Sequence, residues 1–418
     1  MEKLADSPKV KPVAELALEP GVRECLQFFT REKQWINEKH LQVSRIPAPT
    51  FLEERRAMWI AEQLESLGYI VERDGGGNVV ARLGKSRTGR WIALTAHLDT
   101  VLAPRVSEDI SVRPDGKLLG PGVADNGAGL AALLAVARAL VSAPSVDGLD
   151  SGLLLVANVG EEGEGNLSGM RYLCRQSHFA ADLGALLILD GPATDHITCQ
   201  ALECRRYEIS AAGPGGHSWS DYGTANPVHA LCRFVTLYAD QPFDTDPAVG
   251  ERFSFNFGVI EGGTSINSIP AVARVKLDLR SENAAKAEEM VAVLSPLLER
   301  AIEVENERAK GGKLTAKLRE IGSRPGGRLP EDAPLLGYLR AVDSWLGIRS
   351  RLDCSSTDAN IPLSMGIPAV SIGAGGRGGG AHTPGEWFHP DGRDLGLKRI
   401  LLTLALLLRT PRTAGNGA

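Results

Sequence analysis

No run of about 18 apolar residues occurs in this sequence, so nothing in it reads as a membrane-spanning helix. The six cysteines, Cys25, Cys174, Cys199, Cys204, Cys232 and Cys354, include no C-x-x-C pair. That argues against a zinc knuckle and a disulfide framework, and points to a reducing compartment. Basic residues are not in surplus: 46 Lys and Arg stand against 51 Asp and Glu, a formal charge of -5. The basic face that nucleic acid or an anionic membrane requires is therefore not indicated, and a small substrate is expected. The start, MEKLADSPKV, has no basic stretch followed by an apolar one, so the expectation is a cytoplasmic protein. There is no internal repeat, and the tail from Thr410 reads as disordered.

Glycine is what the chain has in plenty, 47 of 418 residues, and much of it follows directly on apolar runs, where backbone can approach a ligand closely. The length calls for two domains, one inserted in the other. Gly21 to Glu38 mixes polar and apolar residues at helical spacing. RIPAPTFLEERRAMWIAEQLESLGY predicts a loop and then an amphipathic helix with Ile60, Leu64 and Leu67 on its buried stripe. Strands are expected at Ile70–Arg73, Asn78–Leu83 and from Trp91. GVADNGAGLAALLAVARALVSAP carries the helical pattern, with Asp125 just ahead of the helix N-terminus. Leu153–Val159, Ala185–Leu189 and Ala369–Ile372 are short apolar runs that suit strands buried on both faces.

These runs end in residues with metal chemistry. WIALTAHLDT ends in His97 and Asp99, which share one face of an extended segment, so the carboxylate can hold the imidazole while its other nitrogen binds a cation. The next run leads to Glu161 and Glu162, the third ends in Asp190, and the Gly-rich loop after Ile372 delivers His382. In open parallel sheets, ligands bind beyond the carboxyl ends of the strands, where all of these fall or, for Asp125, in a loop before a helix. Two imidazoles with several carboxylates and no thiolate describe a hydrolytic site for Zn, Mn or Co. Five ligands suffice for two ions if one carboxylate bridges, and paired ions polarise a carbonyl and generate hydroxide near neutral pH. One of the adjacent glutamates can ligate while the other acts as general base; spacing alone leaves open which is which. His40, His178, His196, His229 and His389 have no such company and are read as ordinary structural or surface residues. Between the run that ends in Asp190 and the run Ala369–Ile372 the pattern becomes β, α, β, β, α, β, the ferredoxin-like order, read as an inserted domain.

AHLDT, GVADNGAGLAALL, GEEGEG, ILDGP, GPGGHSW, GGTSINSIP and GGAHTPGE together resemble the zinc metallohydrolase family of peptidase T, carboxypeptidase G, acetylornithine deacetylase and succinyl-diaminopimelate desuccinylase, from about Ile46 to Leu408. IPAPTFLEE, GPGGHSW and SSTDAN resemble the peptidase T-like members most. The resemblance implies an α/β fold: a zinc-exopeptidase-type catalytic domain with a mixed, mainly parallel sheet in residues 1–201 and 326–418, and an inserted ferredoxin-like lid in residues 202–325 that often makes a homodimer. It implies that His97 and Asp190 hold one metal ion, Glu162 and His382 the other, and that Asp125 bridges them. Glu161 would be the general base, Asp99 the partner of His97, and the Asp-Asn peptide cis. His217 would stabilise the oxyanion, in many members at the partner subunit's site. Asn267, Arg280 and Arg324 are expected to read a substrate carboxylate, with His217 on the same domain, because a guanidinium can grip a carboxylate with two parallel bonds. The expected activity is a two-metal exopeptidase acting on short peptides; the alternatives are an N-acyl amino acid deacylase with the same site and, more remotely, a non-catalytic binding protein.

Overall fold

Residues 12–83, 86–143, 150–243 and 252–410 are described by the computed structural model; the tail expected to be disordered lies beyond them, apart from Thr410. The chain divides into two compact units, Met1–Ala201 with Gly327–Ala418, and Leu202–Gly326.

The first unit is built on a sheet of nine strands among the described residues. Its order runs Ile70–Arg73, Val79–Leu83, Gly152–Asn158, Trp91–His97, Leu183–Leu189, Ala369–Ile372, His196–Ala201 and Gly327–Arg328, with Arg351–Ser355 also paired to His196–Ala201. The four central strands are mutually parallel. They carry the apolar runs because both faces are covered: every residue of Gly152–Asn158 and of Ala369–Ile372 is buried. Their register is level at the carboxyl end, His97 lying opposite Asn158 and Leu189 opposite both Ala96 and Ile372. The polar residues that follow each run therefore emerge at one edge.

The helix Gly127–Ser142 is apolar nearly all round because it is wedged between this sheet and the helices Pro20–Arg31 and Lys33–Ser44. Its entry is tight. Asn126 caps it by accepting the Gly129 N–H at 3.1 Å, and a Cβ on Gly129 would stand 2.2 Å from that same side-chain oxygen. The glycines of DNGAG thus let the cap close on the helix. The segment Gly21 to Glu38 is not one helix, since the backbone breaks at Glu32 between the two helices just named. Ile60 and Leu64 are buried in the helix Glu54–Ser66 as expected, but Leu67 is its half-buried C-cap.

The second unit, taken by itself, is a four-stranded antiparallel sheet in the order Phe253–Gly262, Val272–Ser281, Glu203–Ala212, Thr315–Arg324. With the helices Pro227–Ala239, Ala284–Ala292 and Leu294–Arg308 packed on it, this is the ferredoxin-like order. Alternation along Val272–Ser281 sends Ala273, Val275, Leu277 and Leu279 into a core with Phe234, Tyr238 and Met290. The stretch Ala284 to Arg308 is two helices, broken at Val293. A two-strand ribbon pairs Gly216–His217 with Ser268–Ile269.

Candidate metal centre

At the level edge of the first unit's sheet, His97 stands with Nε2 3.0 Å from Asp125 Oδ1 and 3.8 Å from Asp190 Oδ1. Asp125 turns its other oxygen to a second imidazole, Oδ2 lying 3.2 Å from His382 Nε2, which is also 3.0 Å from Glu162 Oε1. One carboxylate thus faces two rings, each ring with a further carboxylate beside it. The Asp125–Asn126 peptide is cis. His97, Asp99, Glu161 and Glu162 are buried, whereas the His382 side chain is about half exposed.

Asp99 adjoins His97 through both its backbone and its carboxylate. The ring's Nδ1 donates to the Asp99 backbone carbonyl at 3.0 Å, and the carboxylate is more distant at 3.5 Å. That carboxylate also accepts the backbone N–H groups of Glu161 and Glu162, both at 2.9 Å, and the Thr50 hydroxyl at 3.0 Å. The Asp99 backbone carbonyl keeps the Nε2 side of His97 turned to Asp125, and its carboxylate fixes the backbone of both glutamates.

Buried carboxylates without partners are costly, and here the imidazoles balance them. Burial works against protonation of His97, but Asp125, Asp190 and Asp99 outweigh it and hold the ring well above its usual range. Asp125, then burial and Glu162, set His382, with the net effect of raising it to about 9. Burial opposes ionisation of Asp125, yet His382 and His97 hold it well below the usual carboxylate range. Burial raises Glu162. The cluster is therefore arranged to receive positive charge.

The donors also fit metal ions. One ligating atom each from His97, Asp125 and Glu162 lie within 4.8 Å of one another. Two ligands of a tetrahedral ion at 2.0–2.1 Å stand roughly 3.3 Å apart, and the imidazole-to-carboxylate separations above lie close to that. The set is nitrogen and oxygen without thiolate, which suits Zn, Mn or Co.

In the second unit His217 and Asn267 come together, His217 facing Ser268 across the two-strand ribbon while Ser218 N–H donates to the Asn267 carbonyl at 2.9 Å. His217 Nδ1 accepts from the backbone of Trp219 and Ser220 at 3.2 and 3.4 Å, which leaves the N–H on exposed Nε2. Arg280 and Arg324 lie elsewhere. Both face Cys204 from its two sides, whereas the ribbon follows the sheet end where Val272 faces Ala212, eight residues along. That is roughly 26 Å at 3.3 Å per residue. The four residues therefore stand on the inserted unit as two separated pairs. Arg280 Nε is also engaged, 2.8 Å from Asp278, and Arg324 is buried.

Three residues that contact or adjoin the site carried no role in the sequence. Arg56, fully buried, donates to the carbonyls of Ile46 and of Leu98, between His97 and Asp99. Asp358, within SSTDAN, accepts from the Asn158 amide at 2.7 Å, and burial raises its carboxyl to about 7. Glu386, within GGAHTPGE, accepts three backbone N–H groups of the Asp125 loop. His40 is buried and hydrogen-bonded to Val123 and Arg393, the structural role expected of it.

The sequence matches the profile of peptidase family M20/M25/M40 over residues 93–406. It is similar to carboxypeptidase G2 of Pseudomonas sp. (strain RS-16), 25% identical over 344 residues that cover 80% of this chain and 77% of that protein. A tripeptidase structure from Staphylococcus aureus superposes with a TM-score of 0.72 at 19% identity, covering 90% of this chain and 98% of that one. A dinuclear metal-binding M20 peptidase from Bacillus subtilis gives a TM-score of 0.64 at 17% identity, covering 92% and 99%. The two structures establish the likeness of fold, and the family match covers most of the chain together with the clustered donors. The chain belongs to peptidase family M20/M25/M40 and is a metallohydrolase of it.

Proposed function

We propose that this protein is an exopeptidase that hydrolyses short peptides at a centre for two divalent ions. The observation that carries this reading is the Asp125 carboxylate, with one oxygen toward His97 and the other toward His382. His97 with Asp190 would hold one ion, Glu162 with His382 the other, and Asp125 both. Ions bound there would polarise the scissile carbonyl and acidify water; zinc is the ion we expect, with Mn or Co able to use the same donors.

Glu161 is the residue we assign as general base. Its carboxylate would take a proton from the attacking water as the new C–O bond forms, and deliver it to the leaving nitrogen as the C–N bond breaks. Asp99 holds the backbone of Glu161 for this task. His217 would donate its Nε2–H to the developing oxyanion. Because His217 and Asn267 stand at the other end of their sheet from Arg280 and Arg324, we assign the two pairs at any one site to different chains of a homodimer made through the inserted unit. No helix among the described residues is long and apolar enough to cross a membrane, and all six cysteines are free, in keeping with the cytoplasmic location we assign.

The test is a panel of di- and tripeptides, the same peptides amidated at the C-terminus, and N-acyl amino acids, assayed with Zn, Mn and Co. Release of a terminal residue from free peptides is expected. Comparable kcat/KM for amidated and free peptides would remove the arginines as carboxylate readers. Turnover of N-acyl amino acids alone would replace the peptidase reading with a deacylase.

A further inference from the structure

We propose that Glu386 is a positioning residue for the metal centre, its buried carboxylate holding the loop Gly122–Asp125 so that Asp125 is presented to both imidazoles. This rests on the two-ion reading above. Oε2 accepts the Gly122 N–H at 2.7 Å; Oε1 accepts those of Ala124 at 2.7 Å and Asp125 at 2.8 Å. Glu386 is 2% exposed, and among the described residues it makes no ion pair within 4.0 Å, so these backbone N–H groups are the close partners of its carboxylate. Bonds to an ionised acceptor are shorter and stronger than neutral ones, and three of them on one four-residue loop leave its backbone little freedom.

The attachment is specific to this loop. The Glu386 carbonyl also accepts the Gly120 N–H at 2.9 Å, and the next strand, Trp387–His389, pairs with Leu118–Leu119. The loop is tight on its other side as well: Gly122 has φ +75°, and a Cβ there would meet Thr100 Cγ2 at 2.6 Å. Glu386 closes the turn that begins at Thr383, next to His382, its N–H donating to the Thr383 carbonyl at 3.2 Å. One segment therefore grips Asp125 twice, at the backbone through Glu386 and at Oδ2 through His382. A shift of that turn would move the far imidazole and the shared carboxylate together, which keeps their separation constant. Glutamine cannot replace this, since its amide has one accepting oxygen, and the NH2 would face an N–H donor on the other side.

The experiment uses the full chain stripped of metal and titrated with Co²⁺, followed by calorimetry and visible absorption, for the wild type, Glu386→Gln and Glu386→Asp. Loss of residues that orient metal ligands typically lowers metal affinity about 10–100-fold. A fall of that size is expected in Glu386→Gln, with an altered cobalt spectrum and faster hydrogen exchange at the amides of Gly122, Ala124 and Asp125. Glu386→Asp, which keeps the charge but shortens the reach, is expected to fall in the same direction by less, and it carries the test if the glutamine variant does not fold. Wild-type Co²⁺ affinity and spectrum in the variant that folds, even with a lowered melting temperature, would overturn the proposal. Fewer than two Co²⁺ in the wild type would sink the two-ion reading instead; unchanged exchange at the three amides would then overturn this one separately.

Discussion

The two units hold their candidate residues in opposite ways. In the first, His97, Asp99, Asp125, Glu162, Asp190 and His382 converge from the ends of separate strands and loops, three of them buried and each with a charge partner in the cluster. In the second, His217, Asn267 and Arg280 are exposed, and Arg280 lies with Arg324 a whole strand's length from the other two. The first arrangement is what chemistry with two close cations needs: donors fixed before the ion arrives. The second is what recognition needs, with groups on a surface that something else must complete.

The comparison breaks most visibly if the buried cluster is emptied. His97→Ala, Asp125→Ala or His382→Ala should abolish activity and lower metal content after reconstitution, measured by elemental analysis. Equal substitutions in the exposed patch should leave metal content unchanged. His217→Ala is expected to cost about 10²–10³-fold in kcat, the usual loss for one oxyanion donor. Mixing inactive Glu161→Gln chains with His217→Ala chains tests where that histidine acts. If it serves the other chain's site, activity should recover to about a quarter of wild type, because half of randomly paired dimers are mixed and each has one intact site. No recovery despite verified exchange of chains would place His217 in its own chain's site.

A smaller effect distinguishes the arginines. Arg280→Ala and Arg324→Ala should each raise KM for free peptides more than for amidated ones, if either reads the carboxylate. An equal effect on both substrates would make them structural. The smallest effect concerns protons. With His382 raised to about 9 in the metal-free protein, its ring is charged at pH 7 and must lose that proton to bind an ion. Metal affinity should therefore rise with pH up to about 9, by at most about tenfold per unit for each proton displaced. Conversely, the stability this ring lends the metal-free fold is full below its unfolded value near 6.5 and is lost as pH rises through about 9. A pH-independent affinity between 6 and 9 would contradict the charged-ring account.

What could be read in the sequence follows the same division. Apolar runs ending in His97, Asp99, Glu161 and Asp190 were legible because a strand buried on both faces is a short, continuous pattern, and level register brings such ends together. The ferredoxin-like order of the second unit was legible from alternation. Glu386 was not, since a carboxylate that accepts backbone N–H groups more than 260 residues away leaves no periodic trace. Asp99 was legible as a neighbour of His97, but not its bonds to the Glu161 and Glu162 backbone, which spacing does not carry. The separation of Arg280 from Asn267 is a matter of strand register, which motif order does not carry. The breaks at Glu32 and Val293 leave no mark in the sequence because helical spacing continues across both.

The claim at the centre is that Glu161 moves the proton while its neighbour Glu162 binds metal. Glu161→Gln and wild type, loaded with zinc and compared for metal content and peptide turnover in the same preparation, test it most directly. Two ions per chain in both, with kcat lowered about 10²–10⁴-fold in the variant, is the predicted result. Near wild-type turnover at equal metal content would contradict it.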